Sequence, residues 1–434
     1  MLQRPRGTRD FAPEDMTARR GLETRLRSVM TSFGYNEIAT PTFEHLELFV
    51  NKSGADITKQ LYNFKDKGDR DITLRPELTA PVMRFYFTDL KMRPKPLKIF
   101  YFGNCFRYER PQDGRYREFW QFGAETIGVG DKHYDNAELL NLACSCLRAS
   151  GLKGFLMRVG HVGILKAVLL GLGLGPEQQK YAMPLIDKGE YQGLEDYLKE
   201  LKLSPQDISY LLEMLQQKMT VDEFLGGRDA IAKGLERSKD AQLAFADFYE
   251  IVKIIKEMGV APVFIDLGIA RGLDYYTGMV FEVDLQELGA EKQVCGGGAY
   301  NLEELFEVKE KLDATGFAIG FDRVMLGLTR QNFAFERPLL DALVIPMSKQ
   351  CQTQAIAILK DLREAGLRAD MEQTGRGIGK GIKHAESLNT GFAVIIGEDE
   401  IKKGIASVKD LSKRAQEEVA LGNVASYILS KKAK

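Results

Sequence analysis

The segment that decides the fold of this chain is residues 101–125, which read YFGNCFRYERPQDGRYREFWQFGAE. Aromatic and apolar residues recur throughout 97–129 in a pattern typical of β-strands. The Pro-Gln-Asp-Gly run at 111–114 interrupts this pattern and is a turn signal. The sequence therefore predicts two antiparallel strands joined by a loop.

This hairpin carries charged side chains on a face where a half-buried strand normally places apolar ones. Alternation puts Arg107 and Glu109 on one side of the first strand. On the return strand, the residues that share one side are Arg117, Phe119, Gln121, Gly123, Glu125 and Ile127. A solvated sheet face with ion pairs is the ordinary explanation. The crowding of Arg110, Arg115 and Arg117 weakens it, because arginine forks bind phosphate oxygens in a bidentate manner and stay charged.

Length and composition are those of a globular protein. With 434 residues, the chain is expected to form about three domains, or two with a large insertion. Hydrophobic residues make up 44% and charged residues 28%, which argues against disordered and low-complexity classes. The 60 basic and 61 acidic residues give a net charge of −1. A general basic coat for nucleic acid is therefore excluded, whereas local basic patches are not.

The expected compartment is the cytoplasm. The first residues are charged and lack the apolar core of a signal peptide, and no apolar run is long enough to span a membrane. The five cysteines are odd in number and show no framework spacing, which favours a reduced setting.

No metal site is predicted. The four histidines are scattered along the chain, at His45, His133, His161 and His384. Cys144 and Cys146 stand two apart in a helix-like run and point in different directions, so core residues are a better interpretation than zinc ligands. The glycine-rich segment 375–381 lacks the spacing of a phosphate-binding loop and is interpreted as a turn that opens a helix.

Changes of pattern divide the chain. Pro13 begins a predicted helix with apolar residues three and four apart. Residues 165 to about 260 are rich in Leu, Gln, Glu and Lys and predict a helical insertion, in which Ser204 caps a helix starting at Pro205. Residues 330–340 are expected to form a linker. Strands and helices then alternate over 341–434, which predicts a compact α/β module with a net charge of +3.

Residues 101–125 closely resemble motif 2 of the class II aminoacyl-tRNA synthetases, in the form found in the histidyl-tRNA synthetase family. Segments similar to the family's other signatures occur in the family's order: RGTRDF (6–11), GYNEI (34–38) with Pro41 as motif 1, TLRPE (73–77), RGLDYY (271–276), GGGAY (296–300) and GFAIGFDR (316–323) as motif 3. The RGLDYY hexapeptide is specific to the histidyl branch. The likeness covers almost the whole chain.

The resemblance implies an α+β fold. Its expected parts are a class II antiparallel-sheet catalytic domain over 1–329 with the helical insertion at about 165–260, a linker at 330–340, and a C-terminal α/β anticodon-binding domain over 341–434.

The resemblance also implies a reaction and its partners. Members of the family activate L-histidine with ATP to histidyl-adenylate and transfer the histidine to the 3′ end of tRNA(His), with Mg²⁺, as homodimers. The amino acid α-carboxylate is already ionised at neutral pH, so no general base is required. Catalysis then depends on positioning and on charge stabilisation at the phosphates.

Arginines are the expected catalytic residues. By resemblance, Arg107 holds the α-phosphate of ATP, and Arg271 lies near the histidine carboxylate and the α-phosphate. Arg115 and Arg323 are assigned to the outer phosphates and adenine. Without the resemblance, Arg271 and Arg323 would be interpreted as solvated surface residues.

The rest of motif 2 is assigned to the nucleotide base and to tRNA. Phe119 is expected to stack on adenine, and Glu109 to contact the base or its neighbourhood. Arg110 and Gln112, in the loop, are expected to face the tRNA acceptor end.

Histidine recognition requires groups that match one donor and one acceptor on the neutral imidazole ring. The resemblance assigns Glu125 and Tyr276 to this task. The amino group of histidine is assigned to Glu77, Thr79 and Gln121. The pocket is completed by Arg271, Tyr275 and Tyr300. Glu77 has another interpretation, because an acid at a probable helix start is favoured by the helix dipole alone.

Two departures from the family pattern stand out. The chain has Ala299 and Asn301 where the family commonly has Arg and Asp, and Leu78 where Gly is frequent. Both suggest a divergent branch.

Two other functions remain as alternatives. One is a synthetase-like regulatory paralogue, such as the regulatory subunit of ATP phosphoribosyltransferase, which typically lacks the anticodon domain and has eroded motifs. The other is a class II enzyme for a different amino acid, which the RGLDYY hexapeptide opposes.

Overall fold

The computed structural model describes residues 2–53, 55–128, 130–270, 276–301, 312–335, 340–375 and 377–432. The chain divides into two compact units, Met1–Phe335 and Glu336–Lys434. Each unit contains its own buried apolar cluster, which is the property that defines a domain. In the part of the chain that the structure describes, no helix has both the length and the apolar character needed to cross a lipid bilayer.

The helices of the first unit begin with the predicted one. Pro13 stands at its first position, and Leu22, Leu26 and Met30 on one face are fully buried. The helices are α1 Pro13–Ser32, α2 Glu47–Ser53, α3 Thr79–Phe85, α4 Lys132–Ser150, α5 Val162–Gly171, α6 Pro176–Lys188, α7 Tyr191–Glu200, α8 Pro205–Gln216, α9 Val221–Gly226, α10 Arg228–Gly234, α11 Lys239–Glu257 and α12 Phe321–Arg330. Cys144 and Cys146 on α4 are buried in the main core.

The strands of the first unit form a large and a small sheet. They are β1 Asn36–Glu37, β2 Phe43–His45, β3 Tyr62–Lys65, β4 Asp71–Leu74, β5 Leu97–Phe106, β6 Glu118–Ile127, β7 Phe155–His161, β8 Lys218–Thr220, β9 Val263–Asp266, β10 Tyr276–Leu285, β11 Gln293–Tyr300 and β12 Ala314–Gly320. Among the described residues the large sheet has the order β1-β5-β6-β12-β11-β10-β7-β9-β8, and the small one β2-β4-β3. The predicted antiparallel sheet is confirmed, because the central β5-β6-β12-β11-β10-β7 neighbours all pair antiparallel.

The hairpin that decides the fold consists of β5 and β6. Their paired residues run from Leu97 opposite Ile127 to Phe106 opposite Glu118. One detail of the prediction is wrong: β5 ends at Phe106, so Arg107 and Glu109 lie beyond the strand, and Arg117 precedes β6. One further backbone hydrogen bond, from Arg107 N to Arg117 O at 3.0 Å, extends the pairing. After Pro111, Gln112 and Arg115 exchange two backbone hydrogen bonds, at 3.0 and 2.9 Å, which close the turn.

The segment from 165 to about 260 is mostly helical, as predicted. Ser204 caps α8, and its hydroxyl accepts a hydrogen bond from Asp207 N at 3.1 Å. The short strand β8 was not predicted. It pairs antiparallel with β9 and forms one edge of the large sheet. The insertion is therefore joined to the sheet by backbone hydrogen bonds as well as by helix packing.

The second unit is an α/β module, as predicted. Its strands are β13 Ala342–Pro346, β14 Ala369–Met371, β15 Phe392–Ile396, β16 Ile405–Asp410 and β17 Ala415–Ala420. Its helices are α13 Gln352–Glu364, α14 Ile378–Ser387, α15 Glu398–Lys403 and α16 Val424–Lys432. The sheet order is β14-β13-β15-β16-β17, with parallel pairing on both sides of β13. The glycine-rich segment does open a helix, because Gly377 precedes α14 directly.

The first unit extends beyond the start of the predicted linker at 330–340. The Gln331 amide donates to Lys153 O at 2.8 Å, and its oxygen accepts from Lys153 N at 3.0 Å. Phe333 and Phe335 pack against the main core. Of the predicted linker, 336–339 lie outside the described residues.

Candidate active site

The loop end of the β5–β6 hairpin opens into a cleft of about 310 Å³. Its wall includes six of the residues that the sequence assigns to ligands: Arg107, Glu109, Arg115, Phe119, Gln121 and Arg323. They converge because β12 pairs with β6 and ends at Gly320, where α12 begins. This arrangement brings Arg323 to the motif 2 residues, although about 200 positions separate them in sequence.

Arg107 occupies the inner part of this cleft. Its Nε donates a 2.9 Å hydrogen bond to Pro76 O, and its guanidinium lies 5.2 Å from the centroid of the Phe119 ring. One backbone carbonyl thus fixes the stem of the side chain. A hydrogen bond at Nε leaves both terminal nitrogens for the bidentate binding of an anion.

The outer part of the cleft is bounded by paired charges. Arg115 Nε lies 3.0 Å from Glu109 Oε2, and Arg115 Nη2 lies 3.1 Å from Glu291 Oε1. Arg323 donates from Nη1 to Gln293 O at 2.8 Å and also pairs with Glu291. Burial lowers the pKa of Arg323 from its ordinary value, and the Glu291 carboxylate opposes that change. The guanidinium stays charged at physiological pH.

The N-terminal segment that resembles the family's signature is held against motifs 2 and 3 by a buried carboxylate. The buried Asp322 carboxylate lies 2.7 Å from Arg9 Nη2 and 2.6 Å from Arg19 Nη1, and it accepts the Trp120 N–H at 2.7 Å. The Arg9 guanidinium also lies 3.4 Å from the centroid of the Tyr116 ring. One carboxylate next to Arg323 therefore fixes the N-terminal segment, α1 and the start of β6 together.

A second group of predicted residues surrounds the Glu125 carboxylate. Its Oε1 accepts hydrogen bonds from the Tyr101 hydroxyl at 2.9 Å and the Thr79 hydroxyl at 3.1 Å, and its Oε2 accepts from the Tyr300 hydroxyl at 2.6 Å. Glu125 is 1% exposed. Burial raises its pKa to about 7, the Glu77 carboxylate adds to the rise, and the three hydroxyls oppose it. Glu125 is thus poised between its charged and neutral forms at neutral pH.

Glycines make room for this carboxylate. A Cβ on Gly316 would overlap Glu125 Oε2, and a Cβ on Gly123 would overlap the Tyr101 hydroxyl. Tyr276 is buried beside Tyr300, with their ring centroids 6.5 Å apart and nearly perpendicular. The structure therefore brings the predicted Glu125, Tyr276 and Tyr300 into one buried cluster.

Glu77 and Gln121 have additional structural contacts. The Glu77 carboxylate accepts from Thr79 N at 2.6 Å and Ala80 N at 3.1 Å, at the start of α3. This is the helix-dipole interaction that the sequence offers as an alternative to binding the histidine amino group. The Gln121 side-chain oxygen accepts from the Cys105 thiol at 3.3 Å, and burial raises the pKa of that thiol to about 12.

Four predicted site residues remain, of which Arg110 and Gln112 are among the described residues. Arg271 and Tyr275 are outside the described residues. Arg110 is exposed on the motif 2 loop, whereas the Gln112 side chain donates to Glu291 Oε1 at 2.7 Å. Sequence reasoning missed Tyr101, Asp322 and Glu291 as site residues. Strand alternation could have found Tyr101, which lies on the face of Gly123 and Glu125. Glu291 has no sequence signal of this kind.

Two protein-family models match this chain. The model for histidyl-tRNA synthetase matches residues 7–324, and the model for an anticodon binding domain matches residues 341–431. The chain belongs to the histidyl-tRNA synthetase family. Its first unit thus contains the catalytic domain of a class II aminoacyl-tRNA synthetase, and its second unit is the anticodon-binding domain.

Curated relatives agree over almost the full length. A histidine–tRNA ligase of Archaeoglobus fulgidus is 43% identical, over 96% of this chain and 97% of its own. The histidine–tRNA ligase of Methanocaldococcus jannaschii is 42% identical, over 98% of this chain and 99% of its own. The family resemblance read from the sequence is confirmed.

Solved structures share the fold. A histidyl-tRNA synthetase from Nostoc sp. PCC 7120 gives a TM-score of 0.85 at 25% identity and covers 99% of both chains. A Bacillus halodurans protein described as an ATP phosphoribosyltransferase regulatory subunit/histidyl-tRNA synthetase gives a TM-score of 0.76 at 27% identity, covering 91% of this chain and 98% of its own.

Proposed function

We propose that this synthetase is a histidine–tRNA ligase that works in two steps. In the first, the carboxylate of L-histidine attacks the α-phosphate of ATP, forming histidyl-adenylate and releasing pyrophosphate. In the second, a hydroxyl of the terminal tRNA ribose attacks the adenylate carbonyl, forming histidyl-tRNA(His) and releasing AMP. Membership of the family supports both steps.

The observation that carries the choice of amino acid is the buried Glu125 with its three hydroxyl donors. In a dry pocket, a carboxylate accepts the N–H of a neutral imidazole, and a tyrosine hydroxyl can donate to the other ring nitrogen. Tyr276, buried beside Tyr300, is our candidate for that donor. A site built to hydrogen-bond a polar side chain strongly rejects an analogue that lacks it. The amino group of histidine is assigned to Glu77, Thr79 and Gln121.

ATP is assigned to the cleft next to this pocket. Arg107 would hold the α-phosphate with its terminal nitrogens, and Phe119 would stack on adenine with Glu109 near the base. Arg115 and Arg323 would bind the outer phosphates. Arg271 would neutralise charge between the histidine carboxylate and the α-phosphate. Each contact stabilises the charge that develops at phosphorus, and no proton transfer is required.

Mg²⁺ fits as a companion of ATP. Within the described residues, no group of three His, Cys, Asp or Glu side chains could hold a metal ion. Mg²⁺ commonly binds through substrate phosphates, water and one or two carboxylates. Bound in that way, it would neutralise part of the charge on the leaving pyrophosphate.

A regulatory paralogue is the competing function, and the Bacillus halodurans structure carries both descriptions in its name. Two features favour the ligase. An anticodon-binding domain is present, and Arg107, Arg115 and Arg323 all line the cleft. A purely regulatory protein has no need of these phosphate-binding groups.

We also propose a homodimer in the cytoplasm. The segment that resembles motif 1 leads into the small β2-β4-β3 sheet, where Phe43 is 56% exposed and Phe64 48% exposed. Their pairing with Leu74 and Ile72 of β4 places both side chains on one face of the sheet. Exposed apolar side chains on one face are typical of interfaces, and a two-fold dimer is the commonest assembly. Sedimentation should give one species of twice the chain mass, and a stable active monomer would contradict this.

The experiment that tests the function is ATP–pyrophosphate exchange with each of the twenty amino acids. We expect exchange with histidine alone. Equal exchange with another amino acid, or none with any, would refute the proposal. Charging of tRNA(His) then tests the second step.

A further inference from the structure

One buried carboxylate joins three residues that the proposed function assigns to two different substrates. Glu291 Oε1 accepts from Gln112 Nε2 at 2.7 Å and from Arg115 Nη2 at 3.1 Å, and Oε2 accepts from Arg323 Nη2. Glu291 is 8% exposed, and its Cβ would lie 3.4 Å from a Cβ on Gly114. It is therefore packed against the motif 2 loop rather than free in solvent.

The contacts of Glu291 are those that a phosphate would make. Arg115 and Arg323 are our candidates for the outer phosphates of ATP, and here both face a carboxylate, which accepts the same arginine forks as phosphate. The other contacts of Arg323 are to backbone oxygens, from Nε to Gly114 O at 3.2 Å and from Nη1 to Gln293 O at 2.8 Å. An incoming phosphate can replace the carboxylate on Nη2 without disturbing those two contacts.

We propose that Glu291 is a carboxylate latch that competes with the outer phosphates of ATP. In the ligand-free protein it holds Arg115 and Arg323 and closes the motif 2 loop through Gln112. The β- and γ-phosphates take over the two arginines, and the like charge of the phosphates repels the carboxylate. Gln112 is then released toward the tRNA acceptor end. The inference rests on the proposed function, and Glu291 acts in it as a positioning residue.

The alternative is that Glu291 keeps the arginines in place while ATP is bound. The two roles predict opposite effects of Glu291→Gln, which keeps the shape of the side chain and removes its charge. A competing carboxylate weakens the binding of ATP, so its neutralisation should strengthen it. If the carboxylate instead keeps the arginines in place, its neutralisation would weaken its contacts with them, and ATP would bind more weakly.

The single tryptophan of the chain, Trp120, lines the cleft and serves as an equilibrium probe. Fluorescence titrations should give a Kd for ATP about tenfold lower in Glu291→Gln than in the native protein, because one close like charge is gone. The Kd for AMP, which lacks the outer phosphates, should not change. Glu287→Gln is the matched control, since Glu287 lies exposed in the same Gln286–Glu291 segment and its carboxylate contacts Gln331 rather than the arginines.

Two further measurements separate the latch from general damage to the fold. In histidine-dependent exchange, Glu291→Gln should lower the KM for ATP with little change in kcat. Backbone amide exchange over 110–116 should rise when ATP, but not AMP, is added to the native protein. In Glu291→Gln, the amide exchange of 110–116 should already be high before ATP is added.

An ATP Kd that is unchanged or raised in Glu291→Gln would overturn the latch. Glu291→Asp keeps the negative charge on a shorter side chain. If this variant binds ATP more tightly than the native protein does, loss of the charge is not the cause of the tighter binding. The titration needs no amino acid. A protein that binds ATP but shows no histidine-dependent exchange would therefore refute the proposed function while leaving the latch testable.

Discussion

The Tyr300 hydroxyl donates a 2.6 Å hydrogen bond to Glu125 Oε2, across 175 positions of sequence. Tyr101 and Thr79 donate to the other oxygen. A buried carboxylate that is not paired with a cation is costly, and hydroxyl donors offset only part of the cost. The relationship places an ionisable group in the interior of the first unit, surrounded by hydroxyl donors.

The first prediction concerns stability and pH. The pKa of Glu125 is about 7 in the folded protein, against an ordinary value of 4.5. The folded state therefore binds this proton more tightly than the unfolded state does. The stabilisation that this proton contributes to the folded state is complete below pH 4.5 and is lost as the pH rises through 7. The free energy of unfolding of the native protein, minus that of Glu125→Gln, should fall by an amount on the order of 3 kcal/mol between pH 4 and pH 8.

Urea titrations followed by Trp120 fluorescence would measure this difference, because that side chain packs against the main core of the first unit. Tyr35 is a suitable control site. Its hydroxyl contacts Thr126 at 2.7 Å, and burial raises its pKa well above its ordinary value of 10.0, outside the tested pH range. Tyr35→Phe should therefore shift stability equally at every pH. Parallel curves for the native protein and Glu125→Gln would show that Glu125 does not titrate near neutrality.

The second prediction concerns the Asp322 network. Asp322→Asn removes the charge that pairs with Arg9 and Arg19, and it leaves two buried guanidinium groups without a counter-ion. Breaking a buried pair in this way costs about 3–5 kcal/mol. Urea unfolding should show the loss, and Trp120 emission should change because Asp322 accepts its backbone N–H.

The control is Asp69→Asn, at an 85% exposed side chain that pairs with Lys65. This substitution should cost less than about 1 kcal/mol. Equal losses in the two variants would mean that the network contributes little.

Local signals predicted much of this molecule. The Ser204 cap, the Pro13 helix start and the β5–β6 hairpin each depend on residues close together in sequence. Their physical causes, a side chain bonding a nearby N–H or a fixed φ, act locally. The resemblance supplied the order of motifs and thereby most of the ligand assignments.

Other features depend on contacts between distant residues. Strand β8 exists because Lys218–Thr220 pairs with β9, about 45 positions later, and no periodicity within three residues reveals that. Glu291 is an acid at the end of the short helical segment Gln286–Glu291, and the role proposed for it depends on the meeting of Gln112, Arg115 and Arg323. Gly316 was read as part of motif 3, whereas the structure shows that it makes room for Glu125.

The third prediction concerns Arg271, whose assignment rests on the family resemblance because it lies outside the described residues. Arg271→Ala should slow histidine-dependent exchange by at least ~10²-fold, the scale for loss of one charge-stabilising donor. Arg271→Lys should recover only part of this, since an ammonium cannot form the bidentate fork. Urea midpoints of both variants should match the native protein. Near-normal exchange in Arg271→Ala would assign the arginine a structural role.

The last prediction separates the two units. The buried clusters of the second unit all lie between Ala342 and Ile428, and those of the first unit end at Leu328, with Phe333 and Phe335 packed on them. A chain ending at Phe335 keeps that packing, whereas one ending at Arg330 would lose it and should be less stable. The longer fragment retains the cleft and the residues around Glu125, so histidine-dependent exchange should persist.

Charging of tRNA(His) by this fragment should fall sharply because the anticodon-binding domain is gone. The residual charging should weaken steeply with salt, since it then relies on phosphate contacts of the acceptor end, to which Arg110 and Gln112 are assigned. Unchanged charging by the fragment would show that the second unit has another role.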